Sequence, residues 1–467
     1  MIKNENHPLY PAIRHYYVTK ANEFWSWSAM RAPAPPPDLG TIAMSLSGHR
    51  VIELLTSTPS GVAGQPYHPW DKLRFRRPPD GLTAEEWWFV TRTARNQMQR
   101  VLPLVDAGGR PFTYALPDEV LRALDNITRG ASGHISIGAQ VVNQADRDRY
   151  LITSLIDEAI TSSQLEGAST EHAVAKQMIR SGREPRDTSE RMILNNFRAM
   201  RRVSELTGED LTPGMVREIH AIVAEGTIEQ DQVGRFQSGS DERVSVQDAY
   251  GNTLHAPPPA RELPERVERL CDFANGREDG AYVPPVLRAI TVHFMIGYDH
   301  PFADGNGRTA RALFYWSMLR QGYWLTEYLA ISRFLREAPA SYARSFLHSE
   351  QDGNDLTYFH AHQLVTIERA MAHLHGYLAR KADDTRALRL LPGEFNHRQI
   401  ALLTGAVRRP GRQYTSLSHS MSHNVTKETA RLDLLDLERR GLLRRGKAGR
   451  ASVWVAVGDL PDRLARD

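Results

Sequence analysis

One cysteine in 467 residues, Cys271, cannot close an intramolecular disulfide, so the disulfide-stapled class is excluded and the sequence fits a reducing cytoplasm. Cys271 lies in the helical stretch Val267–Phe273 and reads as a small buried apolar residue. No run approaches the roughly 18 apolar residues of a membrane span, and Met1–Pro8 lacks the apolar stretch of a signal peptide. The expectation is a cytoplasmic protein with no membrane partner. Charge of one sign is also scarce: the formal net charge is +3, so any argument for nucleic acid has to be local. Internal repeats and long low-complexity tracts are absent as well. What remains is 41% apolar and 24% charged, an ordinary globular composition with length for roughly two to four domains.

Residues 1 to about 115 form an N-terminal region whose role the sequence does not reveal. The prolines at 33, 35, 36 and 37 separate an aromatic piece (Tyr16, Tyr17, Phe24, Trp25, Trp27) from the rest of the chain. A helix is predicted from Ala84 to about Leu102, and another from Asp118, with Val120, Leu121, Leu124 and Ile127 on one face. From about 145 to 380 the apolar spacing is overwhelmingly helical: Leu151 to Ile160, Met192 to Leu206, Pro213 to Ala224, Pro264 to Asn275 and Pro285 to Tyr298. One segment breaks that habit. Arg243–Gln247, the turn Tyr250-Gly251-Asn252, and Thr253–His255 read as a short β-hairpin ended by Pro257, Pro258 and Pro259.

The chemistry concentrates in His300–Arg311, where a turn with two glycines joins two apolar helices. Gly305 and Gly307 permit close backbone approach, and the new helix starts there with unpaired N–H groups and a partial positive charge. Arg308 and Arg311, three apart, share a face beside that N-terminus and suit a polyphosphate. Asp304 would be repulsive to an anion alone but useful to a magnesium ion bridging phosphate oxygens. His300 titrates near working pH and can take a proton from an attacking hydroxyl. Base, metal carboxylate, anion cup and two arginines within twelve residues point to phosphoryl or nucleotidyl transfer. His293, one face back in an apolar run, reads instead as a hydrogen-bonded core residue.

At these residues the chain resembles the Fic family, whose signature is His-x-Phe-x-Asp/Glu-Gly-Asn-Gly-Arg-x-x-Arg, and every fixed position is matched. The resemblance covers roughly residues 145–380. It implies an all-α Fic fold around a central helix pair, within a domain taken as 116–380, with hairpin 243–255 as a flap that aligns a target segment as an added strand. It further implies a protein adenylyltransferase: His300 deprotonates a Ser, Thr or Tyr hydroxyl of a target protein, or of the enzyme itself, which attacks the α-phosphate of ATP. Asp304 would hold magnesium; Gly305, Asn306 and Gly307 would bind the α- and β-phosphates; Arg308 and Arg311 would take the β- and γ-phosphates. Relatives that phosphorylate instead have Lys where this chain has Gly307, which favours AMP transfer. Ala310 stands where many relatives have Gly, and Gln237 where many have Arg.

Ser162 and Glu166, four apart, share a helical face, and Gly167 is a natural terminator of the helix begun near Arg149. The segment resembles the Fic inhibitory motif Ser/Thr-x-x-x-Glu-Gly/Asn. By that resemblance Glu166 would pair with Arg311 and occupy the guanidinium meant for the γ-phosphate. In some relatives the same glutamate also activates water to remove AMP.

Residues 386–467 carry eight more basic than acidic side chains. Asn396–Thr404, a helix capped by Thr426, and a basic hairpin over Leu443–Val455 resemble a winged helix-turn-helix domain, with Arg408, Arg409 and Arg412 adding positive charge. Duplex DNA and a homodimer join ATP and a hydroxyl-bearing protein as expected partners. The competing function is a DNA-binding transcriptional regulator whose Fic core only senses nucleotide; intact His300 and Asp304 weigh against it, since a sensor needs no base.

Overall fold

A computed structural model of the chain describes residues 32–57, 66–131, 144–241, 243, 245–247, 253–277, 280, 282–389, 395–409, 411–423, 425–448 and 451–464. The N-terminal aromatic piece and the turn 250–252 lie outside these residues. The chain divides into two compact units, one of residues 1–133 with 150–371 and one of 134–149 with 372–467.

In the first unit, α1 (Leu39–Ser45), α2 (Gly48–Ser57), α3 (Trp70–Leu73) and α4 (Ala84–Met98) precede a hairpin of β1 (Arg100–Val105) and β2 (Pro111–Tyr114). Then come α5 (Asp118–Ala131), α6 (Gln144–Leu165), α7 (His172–Ser181), α8 (Thr188–Glu205) and α9 (Pro213–Ala224). A second hairpin, β3 (Val246–Gln247) with β4 (Thr253–His255), leads into α10 (Leu263–Ala274), α11 (Pro285–Asp299), α12 (Asn306–Arg320), α13 (Ile331–Glu337), α14 (Pro339–Gln351) and α15 (Thr357–Arg389); α6 before Tyr150 and α15 beyond Met371 count with the second unit. The centre is the α11–α12 pair, onto which α8, α9 and α10 pack. Both are buried around nearly their whole circumference, as helices apolar on every face must be.

One expectation for the N-terminal region needs correcting. The helix predicted to reach Leu102 stops at Met98, because Pro103 bars a helix there while the alternation that buries Leu102 and Leu104 favours a strand. Residues before 115 also bond to the start of the helix at Thr357 and the loop before it. Thr113 exchanges backbone hydrogen bonds with Asn354 and Leu356, Arg92 pairs with Asp352 at 2.7 Å, and Tyr67 donates to Asp355 at 2.6 Å.

In the second unit, α16 (His397–Arg408), β5 (Gln413–Tyr414), α17 (Ser416–His423), α18 (Lys427–Arg439), β6 (Leu443–Ala448), β7 (Ala451–Ala456) and α19 (Leu460–Leu464) succeed one another. The strands form an antiparallel sheet in the order β5-β7-β6 over a core of Leu402, Leu403, Leu434, Leu437 and Trp454. Asn396 caps α16 in a reciprocal capping box with Gln399, and Thr426 caps α18 through the Thr429 N–H. Helix α17 and strand β5 were not foreseen; Ser-Leu-Ser-His-Ser-Met-Ser-His has little apolar periodicity to announce a helix. Among the described residues no helix is long and apolar enough to cross a membrane.

Candidate active site

The link between α11 and α12 is held in an uncommon shape. His300 closes α11 in the left-handed region (φ 47°), which costs a non-glycine residue of order 1 kcal/mol or more and persists only where the surroundings impose it. Here they do. Arg243, beside the β3–β4 hairpin, donates to the carbonyls of His300 (2.9 Å) and Asp299 (2.5 Å). Asn306 brackets Phe302, accepting from its N–H at 2.9 Å and donating to its carbonyl at 2.8 Å. His220 on α9 accepts from the Gly234 N–H at 3.0 Å, so its other nitrogen donates to the Asp304 carbonyl at 2.9 Å; the ring stacks on fully buried Phe302. Burial pushes the His220 pKa down to about 4, so this clamp stays neutral.

His300 Nδ1 donates to the Gly297 carbonyl at 3.3 Å, which leaves Nε2 bare to receive a proton. Burial first, then the nearby His255 and Arg243, hold its pKa below the ordinary 6.5, so the ring is in its base form at neutral pH. Gly305 (φ 82°) caps α12, and Thr309 makes the first intrahelical bond, back to the Gly305 carbonyl. The amides of Asn306, Gly307 and Arg308 therefore precede the hydrogen-bond ladder.

Glu166 occupies that N-terminus. Its Oε1 accepts from Arg311 Nη2 at 2.8 Å, and Arg311 also donates to Ser162 Oγ (2.8 Å) and to the Ser162 carbonyl (2.9 Å). A Cβ built on Gly307 would overlap Glu166 Oε1 and lie 2.8 Å from its Cδ. Gly167 ends the segment at φ 92°. The pocket around these groups, lined by Glu166, His300, Gly307, Arg311, Tyr342 and Glu350 among others, has a volume of about 120 Å³, below the ~300 Å³ at which small-molecule sites begin.

Two residues sit differently from expectation. Asn306 spends its side chain on the loop, which leaves only its amide for an anion. Arg308 is fully buried, donating to the Val223 carbonyl at 3.1 Å, and does not line the pocket; its Nε and Nη2 have no acceptor among the described residues. Helical spacing put it on the Arg311 face, but its long side chain turns toward the end of α9. Asp304 is 59% exposed, accepts from the Gly305 N–H at 2.7 Å and lies 3.6 Å from Arg308. One exposed carboxylate fits a magnesium ion that arrives with most of its oxygen ligands on a polyphosphate. Among the described residues no cluster of three metal-ligating side chains exists that would hold one unaided. His293 is a core residue, hydrogen-bonded to the Tyr342 hydroxyl at 2.7 Å.

Sequence reasoning missed Arg243, His220 and the pair His255–Glu350. Gln237 is buried, donates its N–H to the Pro301 carbonyl at 2.8 Å and accepts from Arg243, so a guanidinium from the next loop serves this spot. His255 on β4 places Nδ1 2.7 Å from Glu350 and Nε2 2.8 Å from the Tyr298 carbonyl. Both partners only accept, so the ring carries two protons. Burial opposes this charge, but Glu350, the Tyr298 carbonyl and Asp299 raise the pKa above 6.5 overall. Because the folded ring binds its proton more tightly than the unfolded one, the clamp stabilises fully below the ordinary value. That stabilisation is lost as pH rises through the raised folded value. Titration of the His255 ring by NMR is expected to give a midpoint above 6.5 in the native protein and a lower one in Glu350→Gln; a midpoint at or below 6.5 in both would refute the clamp.

Coupling between Glu166 and Gly307 is testable through stability. Gly307→Ala is expected to cost about 1–3 kcal/mol in the native protein by evicting the carboxylate from Arg311, and close to nothing in a Glu166→Gly background, where alanine favours the helix. Equal costs in both backgrounds, from denaturant melts, would disprove the contact.

Residues 210–318 match the model of the Fic/DOC family. A protein adenylyltransferase Fic from Nematostella vectensis is 27% identical over 264 residues, covering 55% of this chain and 58% of that protein. The protein adenylyltransferase fic-1 of Caenorhabditis elegans is 24% identical over 215 residues, 46% of this chain and 40% of that one. The chain thus spans under two thirds of the length of these relatives. A crystal structure of a Fic family protein from Desulfovibrio desulfuricans aligns with TM-score 0.48 at 18% identity, over 74% of this chain and 98% of that one. A Fic domain containing signaling protein from Bacteroides thetaiotaomicron aligns at 0.42 and 20%, over 56% and 95%. With the family model spanning the central helix pair and the signature unbroken from His300 to Arg311, the stretch of residues 210–318 is similar to the Fic/DOC family.

Proposed function

We propose that the protein transfers AMP from Mg-ATP to a hydroxyl of a protein target, itself included, and that Glu166 restrains it. The observation that carries this reading is the pocket in which a base-form imidazole, His300, meets the N-terminus of α12 and the guanidinium of Arg311. His300 Nε2 takes the proton of the target hydroxyl while its oxygen bonds to the α-phosphorus. The bond from that phosphorus to the bridging oxygen breaks, and pyrophosphate leaves with the electron pair. The amides of Asn306 and Gly307 and the Arg311 fork bind the phosphates, and Gly305 lets the chain turn close to them. Arg308 contributes positive charge from beneath the helix start. Asp304 would hold magnesium, which when bound offsets charge on the leaving group.

The Glu166–Arg311 pair supports the restraint: one carboxylate takes both the guanidinium and the space over Gly307 that the terminal phosphates need. Incubating wild type and Glu166→Gly with labelled Mg-ATP and reading the mass gain of one AMP tests both parts.

For residues 386–467 we propose a winged helix-turn-helix module that binds duplex DNA. Exposed Arg409, Arg412, Arg444, Arg445 and Lys447 support this, whereas Arg431 on α18 is tied to Glu428 and Arg440, just past its end, to Asp436, both at 3.0 Å. Charge for phosphates thus comes from the α16–β5 loop and the β6–β7 hairpin. About five phosphate contacts would make affinity fall by on the order of 10²–10³-fold between 50 and 200 mM salt. Salt-insensitive binding, or none, in fluorescence anisotropy would leave the module a protein-contact domain.

A further inference from the structure

We infer that the first unit holds a second ligand site, an oxyanion pocket for a phosphate-bearing small molecule, in the cavity bounded by Tyr67–Lys72, α14 and α15. The cavity is about 400 Å³, within the range of sites that hold nucleotide-sized ligands. Three side chains that line it carry a buried nitrogen with no hydrogen-bond partner among the described residues: His68 Nε2, Arg344 Nε and His362 Nδ1. Arg344 Nε can only donate, and each imidazole nitrogen can donate when it carries the proton. An unmet buried donor costs roughly 1–3 kcal/mol, so Arg344 Nε calls for an acceptor, and each of the two imidazole nitrogens becomes a further donor on taking up a proton.

The carboxylates nearby do not supply that acceptor. Glu119 accepts from the Tyr67 N–H at 2.7 Å and Asp71 from the Ala34 N–H at 2.9 Å. Arg369 is paired with Glu337 at 2.6 Å, while Lys72 stands exposed at the mouth. Burial first, and then the Lys72 charge among others, holds the imidazoles of His68, His348 and His362 below their ordinary pKa, the latter two down to about 4. A dianion entering here would find neutral rings able to take up protons, beside two cations, Lys72 and Arg344, that have no carboxylate partner among the described residues. Helix α14 is a shared wall: Ser341, Arg344 and His348 face this cavity, and Tyr342, Ala343 and Glu350 face the pocket of His300. A ligand here is thereby placed to bear on the catalytic pocket through one helix.

Calorimetry on the full chain with inorganic phosphate, pyrophosphate and AMP as probes tests this. Wild type is expected to bind at least one of them with net proton uptake, seen as a dependence of the heat on buffer ionisation enthalpy. Lys72→Ala and Arg344→Ala should each weaken that binding tenfold or more, and Glu166→Gly should leave it in place. Lys72 is exposed, so its loss does not threaten the fold. Equal affinity for phosphate and AMP would assign the phosphoryl group alone as the ligand, and tighter AMP a nucleotide. No binding by wild type, or binding indifferent to both Lys72→Ala and Arg344→Ala, would overturn the assignment.

Discussion

Glu166→Gly is expected to raise self-AMPylation by roughly 10- to 100-fold. Charge-assisted hydrogen bonds are worth about 1.5–3 kcal/mol, and each 1.4 kcal/mol is a factor of ten, so an incoming γ-phosphate must displace a carboxylate of that strength from Arg311. The Arg311 side chain is only 4% exposed, so water competes poorly for the contact. Removing the carboxylate also takes the Glu166 counter-charge from a buried guanidinium that keeps its hydrogen bonds to Ser162. The variant should therefore melt at lower temperature without nucleotide, and Mg-ATP should raise its Tm more than that of wild type. Glu166→Gln keeps the shape and loses the charge, and should fall between the two. Equal labelling of all three proteins would rule out the restraint.

His300→Ala, placed in the Glu166→Gly background, should cut labelling by about 10²–10⁴-fold, the usual worth of a positioned base, while ATP still binds. The imidazole lies beside the amide cup rather than in it, so calorimetric affinity for Mg-ATP should change little. A loss of labelling matched by a loss of ATP affinity would make His300 a binding residue and refute its role as base. The pH profile adds a second check. Burial lowers the His300 pKa, so the base form persists below pH 6.5, and the rate should fall only as pH drops through that lowered value. An acid limb centred above 6.5 would contradict this burial.

Much of this was legible in the residues because it is local. Helix periodicity in 145–380 recovered α8 to α11 to within a few residues, since an amphipathic stripe is written at every third or fourth position. The hairpin at 243–255 was announced by its turn residues and three prolines. The N-terminal hairpin Arg100–Tyr114 was not, because a pair so short is secured by what it packs on, here Asn354 and Leu356, far along the chain.

The sequence by itself determined the reactive set, from His300 to Arg311 together with Ser162 and Glu166, because the chemistry needs those side chains at helical and turn spacing. Only the tertiary structure decided what each does. It turned Arg308 inward to Val223, spent the Asn306 side chain on Phe302, and enlisted His220, Arg243 and His255 around the loop. Apart from the local Asn306–Phe302 bracket, those outcomes depend on which groups lie within about 3 Å across 43 to 85 residues of chain, and hydrogen bonding at that range is set by packing rather than by sequence order.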